Sequence, residues 1–163
     1  MRTSPLKLWH TVLILLAGVS TMAAGELSPV PKHFSAYVGG FLGPSFQAEL
    51  HDGILIYARF GPGHSKPVHT TIKPTARQWR EFRQTLDELK VWQWHPEYLP
   101  SGPVMDGTQW SLDIAYRDHA LKVHGDNSYP DAAGKPNGKP EPTKSFNRYL
   151  NAIEGLSGGR TFE

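Results

Sequence analysis

Apolar residues recur at every second position in several parts of the chain, the spacing typical of strands with one buried face. Residues 34–41 and 47–60 are rich in aromatic and branched side chains, and we predict strands there. His51-Asp52-Gly53 interrupts the second stretch, and Asp-Gly between two apolar runs indicates a tight hairpin, because glycine adopts the positive φ that such a turn needs. Val68–Ile72 is a further short predicted strand.

The spacing then changes to that of a helix. Thr75 is followed three residues later by Gln78, which is the pattern of a capping box, and apolar residues recur at steps of three and four at Trp79, Phe82, Leu86 and Leu89. This pattern predicts a helix from residue 75 to about 90. Arg77, Arg80 and Arg83 crowd its first half, where they would form a solvated face or meet an acidic partner.

A second hairpin and a second helix follow. Apolar residues alternate over 110–116 and again at 121 and 123, with a turn at 117–119. Four prolines and two glycines between residues 130 and 144 predict a mobile loop without regular structure. The last predicted helix is 145–156, with an apolar stripe at Phe146, Tyr149, Ile153 and Leu156.

This order of elements predicts an α+β fold. We expect an antiparallel sheet built from two hairpins, with both amphipathic helices on one face. The alternative is a β-barrel with peripheral helices. The sequence contains no cysteine, so its stability must come from packing and not from disulfides.

The N-terminus has the three-part layout of a secretory signal peptide. Arg2 and Lys7 precede an apolar run, and small residues follow at 23–25, so cleavage is expected after Ala23 or after Gly25. The apolar stretch is shorter than the roughly 20 residues that span a bilayer, so we expect no stable membrane span after cleavage. We therefore predict residues 1–25 as the signal peptide, 26–163 as a single domain, and a periplasmic or secreted product.

Removal of the signal peptide changes the charge. The chain has 17 basic and 15 acidic residues, and residues 1–25 hold two of the basic residues and no acid. The remaining chain is therefore neutral, which argues against nucleic acid as a partner. A protein or glycan of the cell envelope is the expected partner.

The stretch from 91 to 130 has the most distinctive composition. It combines Trp92-Gln93-Trp94, Asp106-Gly107, Trp110 and the run from Gly125 to Pro130, which reads Gly-Asp-Asn-Ser-Tyr-Pro. Over residues 75–156 the sequence resembles a group of small exported bacterial domains with a Trp-bearing helix end, an Asp-Gly and Trp strand, a Gly-x-Asn-x-Tyr-Pro turn and a final helix. The resemblance implies a fold and carries no activity.

Two kinds of ligand contact are predicted in this stretch. Asp106, Asp126, Asn127 and Tyr129 would converge at one end of the second hairpin and bind a ligand, or else they supply only turn chemistry. The aromatic residues would form an exposed platform for a sugar or a peptide, or else they pack in the core. The candidates for the platform are Trp92, Trp94, Tyr98, Trp110, Tyr116 and Tyr129.

A metal site is a further hypothesis. Imidazole and carboxylate ligands suit zinc or copper, and the best set is His124 and Asp126 together with His64 or His69. None of these pairs has the close helical spacing of zinc enzymes, so we predict no cofactor. The expected function is therefore a non-catalytic binding module of the envelope. The alternative is a hydrolase that uses Asp106, Asp126 or His124, with or without a metal.

Overall fold

The computed structural model describes residues 28–40, 42–104 and 107–163. The predicted signal peptide lies outside the described residues, and so does Asp106. Within the described ranges the chain is α+β, with one mostly antiparallel sheet and two helices. The elements are β1 His33–Gly39, β2 Ser45–His51, β3 Ile54–Phe60, β4 Val68–Ile72, α1 Ala76–Glu88, β5 Glu97–Tyr98, β6 Gln109–Ala115, β7 Ala120–Asp126 and α2 Lys144–Leu156. Neither described helix is long and apolar enough to cross a membrane.

The sheet has seven strands in the order β4-β3-β2-β1-β6-β7-β5. It is larger than the predicted sheet of two hairpins, because β1 lies between β2 and β6 and joins the two halves. β5 pairs with β7 in parallel, and all other pairs are antiparallel. Among the described residues β4 and β5 have a neighbour on one side only, so the sheet is open and does not close as the barrel alternative requires.

Two local sequence signals form the predicted structures. Asp52 and Gly53 both have positive φ, 50° and 77°, which is the conformation of the tight turn between β2 and β3. Thr75 Oγ1 accepts a hydrogen bond from the Gln78 amide, and the Thr75 amide donates to Gln78 Oε1. The predicted capping box is therefore confirmed. α1 ends at Glu88, slightly before the predicted end, since Lys90 has a positive φ of 52° and cannot continue the helix.

Alternation along the strands separates two faces of the sheet. Phe34 and Ala36 of β1 and Leu112 and Ile114 of β6 are fully buried, whereas the residues between them are accessible. Because neighbouring side chains in a strand point to opposite faces, the accessible set forms the other face of the sheet. We call this accessible set the polar face.

Aromatic contacts join each helix to a strand of the sheet. The ring centroid of Phe34 lies 6.0 Å from that of Trp79 and 5.4 Å from that of Phe82, both on α1. The Trp110 ring on β6 lies 4.9 Å from Phe146 on α2. Buried aromatic pairs of this kind contribute about 0.5–1.5 kcal/mol each beyond the area that they bury.

The loop that precedes α2 has no helix or named strand, but hydrogen bonds hold it in place. Asn137 exchanges two bonds with the backbone of Tyr129: its amide donates to the Tyr129 carbonyl, and its Oδ1 accepts from the Tyr129 amide. The Tyr98 hydroxyl donates to the Gly134 carbonyl, and Thr143 Oγ1 donates to the Pro130 carbonyl. The predicted mobility of this loop stays a prediction.

Candidate functional site

Five of the six aromatic residues predicted as a platform lie in the core. The exposed fractions are 4% for Trp94, 0% for Tyr98, 6% for Tyr116, and 1% for Trp110 and for Tyr129. Trp94 and Tyr98 both pack against Trp110, with ring centroids 6.2 and 5.3 Å apart. Rings this deep cannot stack on a sugar from outside, so the exposed platform is wrong for these five, and core packing is the correct alternative.

The turn after β7 places Asn127 in a structural role. Its exposed fraction is 4% and its φ is 44°. Asn127 Oδ1 accepts from the Thr108 amide at 2.9 Å, while the Asn127 amide donates to the Thr108 carbonyl, also at 2.9 Å. Asn127 Nδ2 donates to Asp126 Oδ1 at 2.6 Å. The side chain is therefore occupied in joining two segments of the chain and is not free for a ligand.

Two glycines make this packing feasible. A Cβ atom on Gly107 would overlap the Asn127 side chain, and one on Gly125 would overlap the Trp110 indole. Trp110 Nε1 donates to the Ser128 carbonyl at 2.9 Å, directly beside Gly125. These close approaches explain the Gly-Asp-Asn-Ser-Tyr-Pro run without a ligand.

The predicted metal ligands do not come together. His124 and Asp126 lie on β7, whereas His69 lies on β4, and the strands β3, β2, β1 and β6 separate the two. At about 4.8 Å per strand, the separation across the sheet is roughly 24 Å. His64 lies in the turn Pro62–His64 before β4, also on the far side. Within the described part of the chain no group of three or more potential ligands is placed to hold a metal.

A network around Arg83 was not predicted from the sequence. Its guanidinium donates two hydrogen bonds to Asp118, at 3.1 and 2.8 Å, and its Nε donates to Asp87 at 2.9 Å. The same group lies over the Trp92 ring, 5.0 Å from the centroid, and over the Tyr116 ring at 4.5 Å. Asp118 is 35 residues away in sequence, so no local spacing indicates the pair.

The charged groups of the network pair with one another. The hydrogen bonds from Arg83, followed by that from His119, lower the pKa of Asp118 far below its ordinary value, and the Asp118 bonds raise the pKa of Arg83. Trp92 Nε1 donates to Asp87 Oδ1 at 2.5 Å, which explains why Trp92 is half-buried here and separate from the other tryptophans. Arg83 is one of the three arginines that were predicted to be solvated or to meet an acidic partner. Its acidic partner lies in the same chain, and the pair links α1 to the β6–β7 turn.

The polar face carries a continuous row of side chains across the whole sheet. The strand registers place one residue of each strand side by side, and we call this set the polar row. From edge to edge the polar row is His69, Ala58, Gln47, Tyr37, Ser111, His124 and Glu97. Tyr37 lies at its centre, opposite Gln47 on one side and Ser111 on the other, and is half-buried. Six of the seven side chains can form hydrogen bonds.

Histidines of the polar face lie beside carboxylates. His51 Nε2 is 3.1 Å from Glu49, and His33 Nε2 is 3.5 Å from Asp113, which also faces Lys122. At the edge, His124 Nε2 is 3.9 Å from Glu97. Among the described residues, with Asp126 included, this face has four carboxylates and one lysine, although residues 26–163 together are neutral.

A shallow depression of about 450 Å³ lies on this face, and Tyr37, Ser111, His124 and Asp126 line it. Among the described residues no hydrogen bond joins Ser111, His124 and Asp126 to one another. Asp126 instead accepts from Asn127, and His124 faces Glu97. The depression therefore has the groups of an acid–base site without their mutual orientation.

A second pocket, of about 220 Å³, lies between residues that follow β1 and residues of α2. Core residues such as Val38, Phe46 and Phe146 form its walls, and the exposed Leu42 lies at its rim. It contains none of the predicted metal ligands.

Comparison with the models of known protein families gives no match to this chain. No curated protein sequence is significantly similar to it. The function must therefore be argued from the geometry alone.

Proposed function

We propose that this chain is an exported, non-catalytic binding module of the cell envelope, and that it binds its partner through the polar face. The observation that carries the proposal is the polar row, which offers hydrogen-bonding side chains on six of seven neighbouring strands; the exception is the buried Ala58, between His69 and Gln47. Such a surface fits a hydrated partner better than an apolar one.

The proposal includes both helices on the opposite face of the sheet. Its support is that Phe34 contacts α1, that Trp110 contacts α2, and that both residues belong to the buried set of alternate positions. With the helices there, the polar face would keep its full width for a partner.

The charge of the polar face favours a partner with basic groups. Four carboxylates outnumber the single Lys122, so a cationic surface would be attracted before contact and held after it. A basic envelope protein is therefore the favoured partner. A neutral glycan, which would rely on Tyr37 and the Gln47 amide, is the alternative outcome of the test.

The test is a binding screen on the purified protein, combined with metal analysis. Thermal shifts are measured with metals, envelope glycans and basic envelope proteins, and any hit is titrated by calorimetry. Tyr37→Ala should weaken binding about tenfold or more, because central aromatic residues dominate interface energies. Arg80→Ala, on an exposed part of α1, is the matched control and should leave affinity unchanged.

Two results would contradict the proposal. One is a ligand whose affinity is the same for Tyr37→Ala and for the unchanged protein. The other is a stoichiometric metal that is lost in a His124→Ala/Asp126→Ala variant, which would favour the metal-dependent hydrolase instead.

A further inference from the structure

The β4 edge of the sheet has the features of a strand that pairs with another strand. Among the described residues β4 pairs with β3 and with no second neighbour. Four of its five residues are β-branched, and none is acidic, lysine or arginine. Val68 has an exposed fraction of 68%, which is among the highest for a large apolar residue in the described chain. Natural edge strands are usually protected by charges or prolines within the strand, whereas here Lys66-Pro67 and Lys73-Pro74 only flank it.

The register shows which backbone groups of β4 point outward. The two-residue turn makes His51 and Ile54 a hydrogen-bonded pair, and such pairs alternate along antiparallel strands. Even-numbered residues of β3 therefore bond to β2, and odd-numbered ones bond to β4. Since Tyr57 is opposite Thr70, the amides and carbonyls of His69 and Thr71 point away from the sheet.

We propose that a second copy of this chain pairs with the β4 edge, antiparallel, with the twofold axis between the two Thr70 residues. His69 of each copy then forms two hydrogen bonds with Thr71 of the other, which gives four across the axis. Thr70 is opposite Thr70, and Val68 is opposite Ile72. The two seven-stranded sheets become one continuous sheet.

Self-complementarity is the reason that the occupant is a second copy. In this register Val68 is opposite Ile72 and Thr70 is opposite Thr70, which are favourable cross-strand pairs, and His69 is opposite the hydrogen-bonding side chain of Thr71. No like charges face each other within the paired segment. Pro67, which has no amide hydrogen, is opposite Lys73 and ends the ladder at the same point in both copies. The other edge, β5, is only two residues long and offers no comparable ladder.

The pairing would also join the two polar faces. His69 and Thr71 belong to that face, since they are opposite Ala58 and Ile56. The polar rows of the two copies would therefore meet at the axis. This inference does not depend on the proposed ligand, because the pairing uses backbone groups that the ligand would not contact.

A single cysteine provides a sharp test, because the natural chain has none. In the proposed dimer Thr70 forms a non-hydrogen-bonded pair with its own copy, with Cα atoms about 4.5 Å apart, within the range that a disulfide spans. Thr70→Cys should form a disulfide-linked dimer under mild oxidation. Thr71→Cys, one residue along, is the matched control and should cross-link far more slowly, because it is opposite His69 and not itself.

Light scattering after size exclusion gives an independent readout. The unchanged protein should have the mass of a dimer and dissociate on dilution. Thr71→Pro removes an outward amide without breaking the β3–β4 ladder and should yield a monomer, while Thr71→Val, which keeps the amide, should stay dimeric. The inference is overturned by a monomer at every concentration, or by cross-linking of Thr71→Cys as fast as Thr70→Cys. If circular dichroism shows that Thr71→Pro is unfolded, the comparison of Thr70→Cys with Thr71→Cys tests the inference instead.

Discussion

Asn127 is the residue for which a structural and a ligand-binding role give the most different expectations. Replacement by alanine removes the acceptor of the Thr108 amide bond and the donor to Asp126. It also places an alanine, which has a Cβ atom and no side-chain hydrogen bonds, in a backbone conformation whose φ is 44°. The backbone bond from the Asn127 amide to the Thr108 carbonyl can persist, so the local fold should survive.

The expected loss follows from these two changes. A partly buried amide that loses its acceptor costs about 1–3 kcal/mol, and a left-handed conformation costs an alanine roughly 1–2 kcal/mol. Asn127→Ala should therefore lower the free energy of unfolding by about 2–5 kcal/mol. This is a large part of the stability of a domain, which is typically about 5–15 kcal/mol.

Equilibrium unfolding in urea, followed by tryptophan fluorescence, measures this loss. Asn127→Gly is the matched control: glycine tolerates the positive φ, so it should recover the conformational part of the loss and leave the hydrogen-bond part. A loss below about 0.5 kcal/mol for Asn127→Ala, which is typical of a surface substitution, would refute the structural role and return Asn127 to the ligand candidates.

Two further predictions concern the tertiary links. Asp118 has a folded pKa below its unfolded value, so its contribution to stability is present above about pH 4, the ordinary range of an aspartate, and is lost as the pH falls further. The free energy of unfolding, measured from pH 6 to pH 2 in steps of about one unit, should decline below pH 4 in the unchanged protein and decline less in Asp118→Asn. An equal decline in both proteins would contradict the network. In the loop before α2, Asn137→Ala should speed hydrogen exchange of the loop amides, because it removes the Oδ1 atom that accepts from the Tyr129 amide. Lys139→Ala is the control. Tyr98→Phe should act in the same direction, since its hydroxyl donates to the Gly134 carbonyl, and unchanged exchange in both variants would show that the loop is as mobile as its composition predicts.

The polar face and the Arg83 network could not be read from the sequence. Side-chain alternation shows that Tyr37 and Ser111 each face away from a buried set, but not that the two are neighbours, because β1 and β6 are separated by about seventy residues. Likewise, Arg83 lies on a helix face that local spacing predicts as solvated, and its partner Asp118 comes from a distant turn. The aromatic residues were ambiguous for a similar reason: composition says that a tryptophan needs apolar contact, and only the fold decides whether protein or ligand provides it.

What the sequence determined by itself is local. The capping box begins α1 at the predicted residue, Asp52-Gly53 turns the chain, and periodicity identifies the residues that enter the core, since each of these depends on groups a few positions apart. The tertiary structure alone decided the order of the strands, the side-by-side placement of the polar row and the free edge at β4. These depend on which strands become neighbours, and that choice is made by the packing of the whole core, a long-range energy that no short pattern encodes.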